Sequence, residues 1–360
     1  MPNKKLIFFS RDLKIGGMEK ALVFLLNELQ SRGYNITLVL TNKAGCLLEQ
    51  LNPLIKVEEY SVCQCKLVPL RKLINLFKRI IWTATHINKY DFSCNFATYL
   101  TIGSKLAEIA SENSSLYVHS DYYNYFEKDI DKIKGFFYQQ GIKQLKRLFF
   151  VSNEVFEPIL KIFPEYKSKF SVISNLIDYS ETVNLSSQRL DIIKGSKETI
   201  LFIGRLEEQS KRLSRLLESF DIVCKKSSDF ELWIVGDGEG YSLCQKLIAQ
   251  YGLTDKVKML GEKFNPYPYI KSADCVILTS DFEGYPVIYN ECLSLSTPII
   301  TTIPVSDDIV DIRDFSIVVN KNVQSISSAI LNKEYKNIKF VNLDFDNINQ
   351  KRIEQIESIL

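Results

Sequence analysis

Asp281-Phe282-Glu283-Gly284-Tyr285-Pro286-Val287-Ile288-Tyr289-Asn290-Glu291 is the stretch on which the reading of this chain turns. It follows the apolar run Cys275-Val276-Ile277-Leu278 and leads into Cys292-Leu293-Ser294-Leu295. A short apolar run bounded by polar residues predicts a buried parallel strand, and Pro286 suits the first turn of a helix, where a missing N–H costs nothing. The order expected is therefore strand, glycine turn, helix start. Such a turn collects anions: its free backbone N–H groups and the positive end of the helix dipole face the carboxyl end of the strand, where open parallel sheets bind ligands.

Two carboxylates flank the turn, and their spacing is informative. Eight helical residues rise about 12 Å and return to within roughly 80° of the starting face. That is the scale of one nucleotide diphosphate sugar, with Glu283 on sugar hydroxyls, the Gly284 turn on the diphosphate and Glu291 on the ribose. On spacing alone, a capped helix with two surface acids fits equally well.

Working outward, 360 residues suit two domains, each able to bury its own core, and 46% hydrophobic with 24% charged residues is globular composition. The opening Met1-Pro2-Asn3-Lys4-Lys5-Leu6-Ile7-Phe8-Phe9-Ser10 carries too short an apolar run for a signal peptide, and no later run reaches transmembrane length. Eight scattered cysteines form neither a disulfide framework nor a zinc spacing, so reduced thiols and a cytoplasmic location are expected. The net charge of +2 is uneven. Residues 1–180 hold 24 Lys+Arg against 17 Asp+Glu, and residues 181–360 hold 21 against 26. A basic first half suits an anionic acceptor or surface; without clustered aromatics it does not indicate nucleic acid.

The chain opens as a βαβ unit: strand Leu6–Phe9, a loop with the paired glycines Gly16 and Gly17, a helix closed by Gly33, then strand Ile36–Leu40. The glycine pair fits a phosphate approach or simply a tight turn. Residues 66–80 form a helix after Pro69 with five basic residues and no acid, followed by Trp82; this pattern suits an anionic bilayer or a solvated helix face. His119 stands just past the strand Leu116–Val118, where ligand-contacting groups sit, though a lone histidine is more often structural. His86 has no polar partner evident in sequence. Tyr122, Tyr123, Tyr125 and Phe126 fit either a sugar or lipid site or a rim of core aromatics. A polar stretch near 178–196 marks a domain crossing, after which strands at 199–205, 231–238, 257–261, 298–302 and 316–319 alternate with helices, among them one over about 213–226 and one over about 241–251, a doubly wound pattern. The expected division is a first domain over 1–178, a second over 179–346 and a terminal helix over 347–360.

Arg205, ending the first strand of the second domain, and Lys211, entering the next helix, are expected to face the crevice bordered by Gly284. Two fixed cations there would neutralise a diphosphate leaving group without a metal. Asp-x-Asp pairs, which hold a divalent ion in other transferases, occur as Asp129-Ile130-Asp131 and Asp344-Phe345-Asp346. Neither follows an apolar strand of a nucleotide domain, and both are read as solvated carboxylates. No metal and no other cofactor is expected.

In this order and at these intervals the motifs resemble the retaining glycosyltransferases of family four, which have the GT-B fold. The resemblance is carried by Gly16-Gly17-Met18-Glu19, His119, Val151-Ser152, Asn175-Leu176-Ile177-Asp178, Gly204-Arg205-Leu206 with Lys211, Gly236-Asp237-Gly238, and Glu283 with Glu291. It implies an α/β protein of two Rossmann-like doubly wound domains facing a central cleft, the nucleotide sugar held mainly by the second and the acceptor by the first. By that similarity Arg205 and Lys211 bind the diphosphate, Glu283 and the backbone of Gly284, Tyr285, Pro286 and Val287 bind sugar and phosphate, and Glu291 binds ribose. Gly17, beside Gly16, approaches the phosphate and His119 lies by the transferred sugar. Transfer is metal-independent and retains anomeric configuration, with the leaving phosphate as base. The expected donor is a UDP-sugar and the expected acceptor a saccharide, lipid-linked as in capsule or O-antigen assembly, with the protein peripheral on an anionic membrane surface. A nucleotide-sugar 2-epimerase and a non-catalytic nucleotide-sugar-binding subunit are the rival readings. One departure is Leu293-Ser294-Leu295-Ser296-Thr297-Pro298, where relatives usually have Ala-Met-Ala and a glycine before the proline.

Overall fold

The computed structural model describes residues 4–340 and 343–360; the opening Met1-Pro2-Asn3 lies outside them. Two units are present: one runs to Leu176 and also takes in Asn349–Leu360, and the other is Ile177–Ile348.

In the first unit seven strands form one parallel sheet: β1 (Lys5–Ser10), β2 (Asn35–Leu40), β3 (Lys56–Glu59), β4 (Phe92–Asn95), β5 (Ser114–Val118), β6 (Arg147–Phe150) and β7 (Phe170–Val172). The sheet order is β3-β2-β1-β4-β5-β6-β7. Helices α1 (Gly17–Ser31), α2 (Val68–His86), α3 (Thr101–Ala110), α4 (Tyr122–Tyr125), α5 (Ile130–Gln139) and α6 (Asn153–Ile162) connect the strands. The central strands β1 and β2 are mostly apolar because helices cover both faces of the sheet; in β1, Leu6 to Phe9 are all buried. The strand order reverses at β1, with β2 and β3 added on one side and β4 onward on the other, so this unit's switch point lies past the ends of β1 and β4.

The second unit repeats the plan with β8 (Glu198–Ile203), β9 (Phe230–Val235), β10 (Val257–Gly261), β11 (Cys275–Leu278), β12 (Ile299–Thr301) and β13 (Ser316–Val318), ordered β10-β9-β8-β11-β12-β13 and parallel throughout. Its helices are α7 (Tyr179–Leu185), α8 (Glu208–Lys211), α9 (Leu213–Lys226), α10 (Tyr241–Gln250), α11 (Tyr267–Ser272), α12 (Val287–Leu295) and α13 (Val323–Leu331). Phe202, Leu216, Phe220, Leu232, Ile277 and Ile326 are core residues in which α9 and α13 cover one face of the sheet. Here the switch point lies past β8 and β11.

The terminal helix α14 (Phe345–Glu357) begins two residues earlier than expected and has a definite place. From Asn349 onward the chain is part of the first unit. Arg352 is fully buried there and donates to the Asn175 carbonyl at 2.6 Å, while Asn113 donates to the Ile359 carbonyl at 2.7 Å. Among the described residues no helix is long and apolar enough to cross a membrane.

Candidate functional site

At the switch point of the second unit the turns after β8 and β9 lie against each other. Gly204 and Gly236 have φ of 150° and 140°, and a Cβ on Gly236 would stand 1.9 Å from the Gly204 carbonyl oxygen. Only glycine permits that approach. It leaves the Gly204 Cα open toward Lys211, whose Cε would lie 3.8 Å from a Cβ placed there.

Lys211 ends α8, and Arg212, in the left-handed region at φ 53°, turns the chain into α9. This elbow is fastened to the end of β11. The Thr279 hydroxyl donates to the Lys211 carbonyl at 2.9 Å, and the Asp281 N–H donates to the Ser210 carbonyl at 2.8 Å. Arg212 Nε donates to Asp281 Oδ2, Arg215 Nη2 donates to Asp281 Oδ1 at 2.6 Å, and Arg215 Nη1 donates to the Thr279 carbonyl at 2.8 Å. Burial alone would raise the Asp281 pKa, but the bonds from Arg212 and Arg215 outweigh it and hold this carboxyl below the usual range.

Held by that frame, Lys211 Nζ donates to Glu283 Oε1 at 2.5 Å, and the Ser280 hydroxyl donates to the same oxygen at 2.7 Å. The pair is mostly buried, with the lysine side chain 20% and the glutamate 14% exposed. Two of the residues expected at the site are thus in direct contact. The expected pair of fixed cations is not formed: the Arg205 side chain is 77% exposed, and its partner Glu207 lies 3.9 Å away. Arg205 sits in the loop after β8, beyond the elbow that immobilises Lys211.

The helix after the turn also needs correcting. Pro286 is the residue before the first helical position, with an extended ψ of 120°, and α12 begins at Val287. Glu283 and Gly284 therefore belong to a loop, and the argument from eight helical residues does not apply to the Glu283–Glu291 spacing. Glu291 and Tyr285 are buried, and the Tyr285 hydroxyl donates to Asn290 Oδ1 at 3.2 Å. Ser296 ends α12 in the left-handed region at φ 51°, a conformation that glycine adopts without strain and serine does not.

In the first unit Gly17 opens α1 and Gly16 caps it in extended conformation. The Glu19 carboxylate folds back over this end, so close that a Cβ on Gly16 would lie 2.1 Å from Glu19 Oε2. His119 follows β5. Its ring lies 4.3 Å from that of Phe96 and 4.7 Å from that of Tyr117, and its backbone N–H donates to the Thr98 hydroxyl at 3.2 Å. Nε2 is buried without a hydrogen-bond partner among the described residues, and burial lowers the imidazole pKa to about 3, so the ring is neutral. His86 has a partner that the sequence did not reveal: Nε2 lies 3.1 Å from Glu58 Oε2, and the ring stacks on Trp82 at 3.5 Å. Of the four aromatics after His119, Tyr122 stacks on Phe136 at 4.2 Å as core, and Tyr123 lines a cavity of about 410 Å³ with Lys134 and Lys161.

Both Asp-x-Asp pairs are helix caps. Asp129 accepts from the backbone N–H groups of Asp131 and Lys132, and Asp344 accepts from that of Asn347. Among the described residues no cluster of three His, Cys, Asp or Glu side chains could hold a metal. All eight cysteines are unbridged. The sequence reading missed Ser280, Asp281, Arg212 and Arg215. Their signal was the charge cluster Lys211-Arg212 with Arg215 one helical turn on, and an acid, Asp281, just past a strand.

Residues 188–337 match the family described as Glycosyl transferases group 1. An uncharacterized glycosyltransferase of Methanocaldococcus jannaschii is 33% identical over 144 residues, 39% of this chain and 35% of that protein. A lipopolysaccharide 1,6-galactosyltransferase of Salmonella typhimurium is 29% identical over 106 residues, 28% of this chain and 29% of that protein. The matched stretch spans about a third of the length of these curated relatives. Among solved structures, HepE of Anabaena in complex with UDP superposes with a TM-score of 0.74 at 17% identity, covering 98% of this chain and 100% of that one. The fold class is the α/β GT-B architecture, as the sequence motifs implied.

Proposed function

We propose that this chain, whose second unit carries a group 1 glycosyl transferase domain, transfers a hexose or N-acetylhexosamine from a UDP-sugar to a saccharide acceptor with retention of anomeric configuration and without a metal. The observation that carries the proposal is the Lys211–Glu283 pair with Ser280 at the switch point of that domain. A mostly buried lysine held against a mostly buried carboxylate is a cation already desolvated and positioned, so a diphosphate can exchange for the carboxylate at little reorganisation cost. Glu283 is then free to accept from sugar hydroxyls.

In the reaction the bond from the anomeric carbon to the diphosphate oxygen breaks, and the acceptor hydroxyl oxygen bonds to the same face of that carbon. The hydroxyl proton passes to the departing phosphate, leaving UDP and the new glycoside. Charge on the leaving oxygen grows as its bond stretches, and Lys211, with Arg205 drawn in from solvent, balances it. Glu291 holds the ribose. The neutral His119 ring offers the sugar a hydrogen bond rather than a proton. The relative that acts on lipopolysaccharide supports a saccharide acceptor, and the HepE complex supports UDP as the nucleotide.

The test is incubation with a panel of nucleotide sugars, with and without EDTA, followed by product analysis. Transfer or slow hydrolysis that releases UDP in EDTA is expected. Complete loss of turnover in EDTA, restored by magnesium or manganese, would sink metal independence, and an epimerised sugar still bearing its nucleotide would replace the transferase reading altogether.

A further inference from the structure

Helix α2 packs against the first unit by a narrow polar edge and presents its apolar side to solvent. Trp82 is its one buried residue among those described; the Trp82 ring meets Phe9 and Tyr60 edge-on at 6.0 and 5.5 Å. Along the same edge Asn75 accepts from the Cys63 N–H at 2.7 Å and donates to the Cys63 carbonyl at 3.2 Å, Lys78 donates to the Ser61 carbonyl at 2.8 Å, and His86 meets Glu58. These contacts fix the rotation of the helix about its axis. At about 100° per residue, Leu70, Leu73, Leu76, Phe77, Ile80 and Ile81 fall in an arc about 140° wide, centred nearly opposite Trp82. They are 44–65% exposed.

An apolar face of this size on the outside of a soluble unit marks a surface that is covered in use, and charge identifies what covers it. Lys72 and Arg79 lie about 40–60° beyond one edge of the arc and Arg71 and Lys78 about 60–80° beyond the other, with Lys66 just before the helix. Between Glu59 and Asp91 the sequence contains no acid. A second copy docked through this face by a twofold axis would bring two such sets of cations together, which disfavours a dimer. Apolar side chains pointing away from the protein, with long cationic side chains set back on both sides toward it, match the layering of a bilayer surface, acyl chains under the apolar face and anionic headgroups above, within reach of the cations.

We propose that α2 docks this protein on an anionic lipid bilayer by inserting the Leu73, Phe77 and Ile81 side of the helix, the flanking cations selecting negatively charged headgroups. The sequence suggested adsorption through charge; the structure assigns the larger part to insertion. The proposal does not depend on the reaction assigned above, because lipid binding is read without substrate.

The experiment is flotation of the full chain with phosphatidylcholine vesicles, with and without phosphatidylglycerol, alongside Phe77→Ser/Ile81→Ser and Lys72→Gln/Arg79→Gln. Wild type should float with the anionic vesicles and much less with the neutral ones. The apolar double variant should lower the partition coefficient by about tenfold or more at low and raised salt, and the charge variant by about tenfold at low salt only. A Phe77→Trp probe should shift its emission to the blue on vesicle addition. Since the substituted side chains are exposed, thermal unfolding should be unchanged and serves as the control for folding. Equal flotation of wild type and Phe77→Ser/Ile81→Ser overturns the proposal. So does wild type that ignores anionic vesicles, or a dimer in solution that this same double variant dissociates.

Discussion

The two switch points are built on one topology and furnished differently. Past β8 and β11 of the second unit stand Lys211, Arg212, Arg215, Asp281 and Glu283, each carrying charge and most of them pinned by a bond to another. Past β1 and β4 of the first unit, and past the neighbouring β5, stand Gly16, Phe96, Thr98 and a neutral His119, with Arg11 paired to Asp12 at 3.1 Å just after β1 and the Glu19 carboxylate over the glycine turn. On the function proposed above, the difference follows from what each end would have to do. A site that stabilises charge developing on a leaving group needs fixed charges that require no rearrangement, whereas one that presents a sugar hydroxyl is served by uncharged faces and hydrogen-bonding groups. The Asp281 frame illustrates the first requirement: it touches neither Lys211 Nζ nor Glu283, yet it fastens the elbow from which Lys211 projects.

The largest effect that comparison predicts is on turnover. Lys211→Ala should lower kcat by about 10² or more, because the charge it balances grows toward the transition state. Arg205→Ala should fall in the same range, but for a different reason. As Arg205 is exposed and loosely paired in the free protein, its loss should leave thermal stability unchanged, while Lys211→Ala strands Glu283 with only Ser280 for company. Steady-state kinetics with thermal melts on both variants would check this; two variants with wild-type kcat would break the assignment of charge to this unit.

The next effect separates the two carboxylates. Glu291, buried on α12 and assigned to the ribose, would contact a part of the donor that barely changes during reaction. Glu291→Ala should therefore weaken free UDP by about 1–3 kcal/mol with kcat less affected. Glu283→Ala should cut kcat and leave UDP nearly as tight, or tighter, since Lys211 is then released for phosphate. Calorimetry showing UDP weakened by Glu283→Ala and untouched by Glu291→Ala would reverse the orientation of the donor.

How much of this was legible in sequence depended on burial. The strand β11 was read at its observed limits and α9 likewise, because both carry dense apolar patterns with polar boundaries. The strands β3 (Lys-Val-Glu-Glu) and β4 (Phe-Ser-Cys-Asn) were not, the first being a mostly polar edge strand and the second too short and polar to stand out. At the site, residue types and loop positions could be read, but not partners. Nothing in the order Lys211…Glu283 says that the two side chains meet, and the Asp281 frame joins positions separated by 66 and 69 residues. The outward turn of α2 was equally hidden: periodicity defines a face, and only Trp82 with Asn75, Lys78 and His86 determines which way that face points.

The smallest effect tests the neutral histidine of the first unit, through the stability of the protein in mild acid. His119 has a pKa lowered to about 3 by burial, against about 6.5 for an exposed imidazole. The unfolded chain therefore binds a proton at this residue below about pH 6.5 while the folded chain does not, so stability falls as pH falls from about 6.5 toward 3 and is full above that range. Between pH 7 and 5.5 the loss attributable to His119 should be about 1 kcal/mol. His119→Phe keeps an aromatic ring between Phe96 and Tyr117, removes the unpartnered Nε2 and abolishes the titration. Urea unfolding of the two proteins at several pH values should show wild type losing stability faster than His119→Phe on going from neutral to pH 5.5. Parallel pH profiles would mean that the imidazole charges readily in the folded state, and that the first unit's switch point carries a titratable cation after all.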